Sequence, residues 1–184
     1  MGYLHEGHLR LVDRARALSD RVVLSVFVNP LQFGPHEDLA RYPRDLNRDR
    51  ELAEARGVDC FFVPDAKSMY PNEPLLRVVP GHAVDTLEGA ARPGHFTGVL
   101  TVVAKLFHLV EPDVAVFGRK DFQQAMLVKR LVQDLDFAVT IDIAPTVREL
   151  DGLALSSRNT YLTPDERRTA LALSRALRLL EQSW

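Results

Sequence analysis

Arg21-Val22-Val23-Leu24-Ser25-Val26-Phe27-Val28 is an apolar, largely β-branched run. Runs of this kind, lacking polar alternation, read as strands covered on both faces, as in parallel sheets. Val58-Asp59-Cys60-Phe61-Phe62-Val63 and Asp113-Val114-Ala115-Val116-Phe117 have the same character. The run Ala138 to Ile143 alternates more, and Leu75 to Val79 is a fifth, expected at a sheet edge. Between the runs, apolar residues recur at helical spacing. Leu11, Val12, Ala15 and Leu18 form one stripe, and Leu46, Leu52, Ala53 and Ala55 a weaker one. Val99, Val102, Val103, Leu106, Phe107 and Val110 mark a helix that is apolar nearly all round, hence deeply buried. Met126, Leu127, Arg130, Leu131 and Leu135 fit another. Thr163-Pro164 reads as an N-cap followed by a first-turn proline, opening a helix with Leu171, Leu173, Leu177 and Leu180. Strands alternating with helices predict an α/β fold with a doubly wound parallel sheet. In that architecture ligands meet the loops leaving the C-terminal strand ends.

The 184 residues are about one domain's worth, and 46% apolar with 26% charged residues is ordinary globular usage, which excludes disorder. The 23 basic and 25 acidic side chains leave a net charge of −2, which argues against a nucleic-acid binder and leaves room for a local anion pocket. No apolar run reaches the ~20 residues that a membrane helix needs. His5-Glu6 and Arg10 interrupt any secretory pattern, so a cytoplasmic protein is expected. Cys60 has no second cysteine to pair with and is expected to be a small core residue. The chain opens on a loop and helix without a preceding strand, and its last helix runs to Gln182-Ser183-Trp184 without a Gly or Asn cap. The expectation is therefore a piece of a longer fold, or a start assigned too late.

Three clusters of polar residues could carry chemistry. His5-Glu6-Gly7-His8 precedes the first amphipathic stripe. Its i, i+3 spacing does not fit the zinc-protease helix, which needs histidines at i and i+4. Gly7 instead admits a ligand close to the backbone, and free N–H groups at the helix start suit phosphate. The bland alternative is a pair of surface histidines. Gly118-Arg119-Lys120-Asp121-Phe122-Gln123-Gln124 follows a strand and opens a helix, with Lys120 a charge for phosphate and Gln124 facing the same cleft; a glycine turn with a solvated lysine is the alternative. Leu155-Ser156-Ser157-Arg158-Asn159 is dense in phosphate-type donors, or else a polar loop with a serine cap. Asp45 and Asp49, beside Arg44 and Arg48, read as a solvated helix face. His36 and His82 read as loop residues, and His108 as a surface residue late in its helix.

The His-x-Gly-His and Ser-Ser-Arg-Asn elements within an α/β pattern resemble the nucleotidyltransferase superfamily. Within it the chain is similar to the pantothenate synthetase (pantoate–β-alanine ligase) family. The resemblance runs through Phe27 to Phe33, Tyr42-Pro43-Arg44, Met69-Tyr70-Pro71, Leu87-Glu88-Gly89 and Arg92-Pro93-Gly94-His95-Phe96. Thr101 to Leu106, Lys120 to Gln124, Pro145 to Glu149 and Leu155 to Asn159 complete it. It implies a Rossmann-like nucleotidyltransferase domain over residues 1–184 that binds ATP and pantoate, with a linker toward a C-terminal domain starting near 175–184. It implies an ATP- and magnesium-dependent ligase joining pantoate to β-alanine through pantoyl adenylate, with AMP and pyrophosphate released. By resemblance His5, His8 and Lys120 are catalytic, with His8 matching the proton donor. Met1, Gly2, His5, Gly7, His8, Gly118, Lys120, Asp121, Val147, Leu155, Ser156, Ser157 and Arg158 match ATP-contacting positions. Gln32 and Gln124, with Asn29 and His95, match the pantoate site. No dedicated magnesium ligand is assigned, and a homodimer is implied, with neither nucleic acid nor membrane as partner. The chain departs from the family in lacking its first strand and C-terminal domain, and in having Arg119 where glutamate is usual. A nucleotide-binding or dimer-forming fragment without turnover is the alternative reading.

Overall fold

The structure, a computed structural model, describes residues 2–183. The expected strands form, but they are short. β1 (Val23–Ser25) pairs in parallel with β2 (Cys60–Phe62), joined through helix α2 (Leu46–Ala55). β3 (Val114–Gly118) pairs in parallel with β4 (Thr140–Ala144), joined through α6 (Phe122–Asp134). Among the described residues the two pairs share no ladder, so the single doubly wound sheet expected from the sequence is two separate parallel pairs. The physical reason is that no described strand bonds to the second edges of β1 and β3.

Helix α1 (Glu6–Leu18) buries Leu9 and Val12, and Leu9 joins Leu4, Val26 and Ala53 in a small core against α2 and β1. The larger core is built on α5 (His95–Val110), where Phe96, Val99, Leu100, Val103 and Phe107 are buried. They meet Leu127, Val128 and Leu131 of α6, and Met69 at the end of the short α3 (Ala66–Met69). Each fully buried apolar side chain of this kind contributes about 1.5–3 kcal/mol. The short α4 (Leu87–Ala91) precedes α5, whose N-cap Gly94 takes the left-handed φ of 82° that glycine accommodates without a Cβ penalty. Helix α7 (Pro164–Gln182) starts as expected, Thr163 capping it and Glu166 reaching back to the Thr163 N–H at 2.8 Å.

Other expectations are corrected. Leu75 to Val79 is not a strand; Leu75 and Leu76 are exposed, and the Val78 N–H goes to the Thr101 hydroxyl at 3.0 Å rather than to a sheet. Cys60 is exposed, not core, because it begins a strand with one neighbour only. On α7, Leu171 and Ser174 face inward while Leu173, Leu177 and Leu180 are exposed. Met126 and Leu135 are also exposed, and α6 buries Ala125 and Val128 instead. Asp45 caps α2 by accepting the Arg48 N–H at 3.1 Å. Asp49, read as solvated, is only 1% exposed and accepts the backbone N–H groups of Tyr3 at 2.6 Å and Leu4 at 2.5 Å.

Two substitutions test this framework. Asp49→Ala strands two buried backbone donors and is expected to cost about 2–4 kcal/mol, read as a lower urea midpoint. At Gly98 a Cβ would overlap the Leu31 carbonyl, where α5 meets the 3₁₀ turn Pro30–Gln32. Gly98→Ala is therefore expected to cost about 1–3 kcal/mol, as overpacking does. An unchanged midpoint in either variant would contradict the contact behind it.

Candidate active site at the start of the first helix

The approach to α1 is fixed before the helix begins. Asp49 holds the Tyr3 and Leu4 amides, and Arg48 Nη1 donates to the Leu4 carbonyl at 2.7 Å. Arg48 also lies over the Tyr3 ring, 5.2 Å from its centroid. Tyr3 sits at φ 56°, so the chain turns sharply into His5, the N-cap of α1. Gly2 is buried against Val26 and Asp49. Met1, expected to touch ATP, lies outside the described residues.

His8 is one turn into the helix. Its N–H donates to the His5 carbonyl at 2.8 Å, and its Nδ1 accepts from the His5 N–H at 3.4 Å. That acceptor role leaves the imidazole proton on Nε2. The two rings stack, with centroids 3.9 Å apart and 27° between planes. Burial, then the neighbouring His5, pushes His8 down to about 3, so it is a neutral donor at neutral pH. His5 is lowered too, by burial first and then by Lys120 and Arg48. Its Nδ1 is buried without a hydrogen-bond partner among the described residues, a cost of about 1–3 kcal/mol that a ligand or altered rotamer would relieve. Gly7 lies beneath the ring; a Cβ there would sit 2.9 Å from His5 Cε1, inside normal contact. Glycine is thus required for the histidine to stack as it does.

The other two clusters come to this helix start. β3 ends at Gly118, and the Arg119 N–H reaches the Ala144 carbonyl at 2.9 Å, turning the chain toward α6. Lys120 is exposed and paired with Asp121 at 2.8 Å, and both charges act on His5. Arg119 faces elsewhere, lining a groove with Phe122, Met126, Lys129 and Asp142. Leu155 touches the first cluster directly, since a Cβ on Gly7 would lie 3.4 Å from Leu155 Cβ. The Leu155 N–H donates to the Val147 carbonyl at 3.0 Å, which fixes Val147 beside it. Ser156 caps the 3₁₀ turn Ser157–Tyr161 by accepting the Arg158 N–H at 3.2 Å. Ser157 is buried, its hydroxyl 3.0 Å from the Tyr42 hydroxyl. Arg158 forms a two-bond pair with Asp38, at 2.8 and 2.7 Å, and lies 5.3 Å from the Tyr42 ring centroid. These donors therefore have protein partners that an arriving anion must replace or share.

Gln32 is joined to that region through Phe33, whose ring packs edge-on against Tyr42. Asn29 is 2% exposed, and its amide orientation follows from backbone partners that allow no choice. Its Oδ1 accepts from the Leu31 N–H at 3.3 Å and the Tyr70 hydroxyl at 3.0 Å, and its Nδ2 donates to the Gly98 carbonyl at 3.1 Å. The same Nδ2 donates to Gln32 Oε1 at 3.3 Å. Gln32 Nε2 is left without a protein partner among the described residues, so the side chain presents a donor. His95, also expected at the pantoate site, has both ring nitrogens on protein groups, the Gln32 carbonyl at 2.8 Å and Arg92 at 2.9 Å. Gln124 is half-buried in the first turn of α6, and its side chain makes no hydrogen bond to protein among the described residues. Its neighbour Gln123 instead ties α6 to Ala83, Thr86 and Gly89. Sequence reading missed Asp38, Asp49 and Arg92 as organisers of the site. Asp38 and Asp49 meet partners far along the chain, 120 residues away for Asp38 and Arg158, and no local pattern marks them, whereas Arg92 has Glu88 and His95 within four residues as well as the distant Glu37.

The family model described as Pantoate-beta-alanine ligase matches residues 1–183. A pantothenate synthetase of Moorella thermoacetica is 60% identical over 179 residues, 97% of this chain and 63% of the relative. One from Chloroflexus aggregans is 59% identical over all 184 residues, which cover 66% of that protein. The chain thus spans just under two thirds of the length of these curated relatives. The crystal structure of pantothenate synthetase from Thermus thermophilus superposes with a TM-score of 0.94 at 60% identity, covering 96% of this chain and 64% of that one. A pantoate-beta-alanine ligase from Francisella tularensis, solved with beta-gamma ATP and beta-alanine, gives 0.92 at 42% identity, covering 97% and 69%. By the extent of the family match and the identity of these relatives, the chain belongs to the pantoate–β-alanine ligase family.

Proposed function

We propose that the protein is an ATP-dependent ligase that condenses pantoate with β-alanine through a pantoyl adenylate. The observation that carries this reading is the stacked His5–His8 pair at a helix N-terminus, with His8 set as a neutral Nε2–H donor beside Lys120. That arrangement suits charge developing on phosphate oxygens, and in-line attack by a substrate carboxylate asks the protein for positioning and charge neutralisation rather than for a covalent group. A pantoate carboxylate oxygen attacks the α-phosphorus of ATP, forming an acyl–O–P linkage as the bond to pyrophosphate breaks. The β-alanine amine then attacks the acyl carbon, an amide forms, AMP leaves, and the amine gives up a proton.

In this reading His5, His8 and the free N–H groups of the first turn meet the phosphates, and Lys120 leaves Asp121 to follow the transferred charge. Gly118, Asp121, Val147, Leu155, Ser156, Ser157 and Arg158 surround the nucleotide, with Arg158 exchanging Asp38 for phosphate. Gln32 and Gln124 hold pantoate. The buried Asn29 acts through Gln32, whose amide it orients. Magnesium bound with the nucleotide would neutralise triphosphate charge, held chiefly by phosphate oxygens and water. Asp121, the carboxylate already at Lys120, fits as its one protein donor. The nucleotidyltransferase reading of the domain and the homodimer belong to the same proposal; sedimentation reads the latter.

The test is pantoate-dependent exchange of labelled pyrophosphate into ATP, which reports adenylation without β-alanine. Exchange that requires pantoate is expected; a folded chain that binds ATP without exchange would favour a non-catalytic nucleotide-binding unit. His8→Ala is expected to slow exchange by about 100-fold or more, the scale of losing one preorganised donor, and unchanged exchange would remove His8 from the chemistry. His8 also predicts an acid limb in stability. It is neutral in the fold down to about pH 3, whereas the unfolded chain takes up its proton near the usual 6.5. Stability from this group is therefore complete above the unfolded value and is lost as pH falls from there toward the folded one. Urea midpoints measured across that window should fall more steeply for the wild type than for His8→Gln.

A further inference from the structure

Gln32 owes its position to a line of contacts that runs away from the proposed substrate. Its carbonyl meets His95 Nδ1 at 2.8 Å, and His95 Nε2 meets Arg92 Nη1 at 2.9 Å. Arg92 is gripped by Glu37 through bonds of 2.8 and 2.6 Å, and by Glu88 through one of 2.8 Å. A guanidinium only donates and a carbonyl only accepts, so the directions are forced. Arg92 donates to Nε2, and Nδ1–H donates to Gln32. His95 is 6% exposed, and no freedom remains for the other tautomer. The charged groups facing it are Arg92, Glu88 at 3.7 Å, and Glu37 behind Arg92. Burial is the main cause that holds its basicity below the ordinary imidazole value, in keeping with a neutral ring.

We propose that His95 and Arg92 are positioning residues for the acid substrate, acting through Gln32 rather than touching the ligand. The inference rests on the ligase reading above. The turn Pro30–Gln32 is held by its own bonds, Gln32 N–H to the Asn29 carbonyl at 3.4 Å and Phe33 N–H to the Pro30 carbonyl at 3.3 Å, by the Asn29 side chain, by the close passage of Gly98, and by the His95 bond to the Gln32 carbonyl. The His95 bond is the one that holds the Gln32 carbonyl. Without it the Gln32 carbonyl loses its tether while the Asn29 end keeps its own, and the Gln32 Nε2 donor shifts off its line to the substrate. Misplacement of this kind by about 1 Å can cost up to about 100-fold when the reacting groups lose alignment. The effect should fall on the acid substrate, since the nucleotide is held by other elements.

Amide side chains separate the two ring nitrogens. In His95→Asn the amide nitrogen lies near the Nδ1 position and still reaches the Gln32 carbonyl. In His95→Gln the amide lies near Nε2 and reaches only Arg92. In the exchange assay, His95→Ala is expected to raise the KM for pantoate about 10-fold or more, with the KM for ATP changed less than about twofold. His95→Asn should stay within about threefold of the wild type, and His95→Gln should follow His95→Ala. Rescue by Gln and not Asn, or equal loss in both, would overturn the proposal. Nitrogen-15 spectra of the imidazole supply a readout without turnover. Nδ1 protonated and Nε2 bare at neutral pH is expected, and the reverse tautomer would overturn it whatever the activity. Absence of exchange from the wild-type chain showing the expected tautomer would instead overturn the ligase reading, and with it the substrate assigned to Gln32.

Discussion

The buried carboxylate of Asp49 is the constraint on which the site depends. A carboxylate withdrawn from water is costly unless hydrogen bonds meet it, and here two backbone amides 45 and 46 residues earlier in the chain do so. The geometry of those amides sets the direction in which the chain enters α1, and that direction places His5 over Gly7 and His8 against His5. The helix start is therefore made partly by α2, a separate element that touches no phosphate in the proposed mechanism. Leu4, buried between the same elements, adds an apolar anchor beside the polar one.

Around this start the cations are held in reserve. Lys120 rests on Asp121 and Arg158 on Asp38. Such pairs keep the positive side chains ordered, their charge met within the protein. Exposed pairs are worth little, about 0–1 kcal/mol, so the exchange of Asp121 for phosphate at Lys120 in the proposed reaction costs little. The Arg158–Asp38 fork, stacked on Tyr42, is stiffer, and Tyr42 carries its position to Ser157. Neutral, half-buried His8 differs from these: it contributes a dipole whose direction is set by the fold and which needs no counterion to be replaced.

Helices were legible because their apolar spacing is local: the stripe on α5 and the Thr163-Pro164 start of α7 both appear where the periodicity puts them. Strands were legible in place but not in extent. An apolar run marks a segment as extended, whereas its paired length depends on which other backbone lies alongside; β1 therefore keeps three residues of a longer run. Cys60 and Leu75 failed for the same reason, since exposure at an edge is a property of neighbours. At the site, the motif residues His5, Lys120 and Ser157 could be picked out by type and spacing. Asp49 could not, because a helix-face aspartate and a buried amide acceptor have the same local sequence context. Nor could the single task left to Gln32, which requires knowing that Leu31 and Gly98 orient Asn29.

That last arrangement carries a consequence for molecular discrimination. Two amides in series pass a polarity along, from a backbone N–H that cannot accept to a side-chain NH₂ that faces outward. Glutamine elsewhere is ambidextrous, able to turn either end to its partner. Here it has been made one-handed. A small molecule offering an oxygen lone pair finds a match, whereas an otherwise isosteric one offering an N–H meets another hydrogen and must give up its water for nothing in return. The filter needs no charge and no change of shape, and it works by how atoms far from the ligand have already spent their lone pairs.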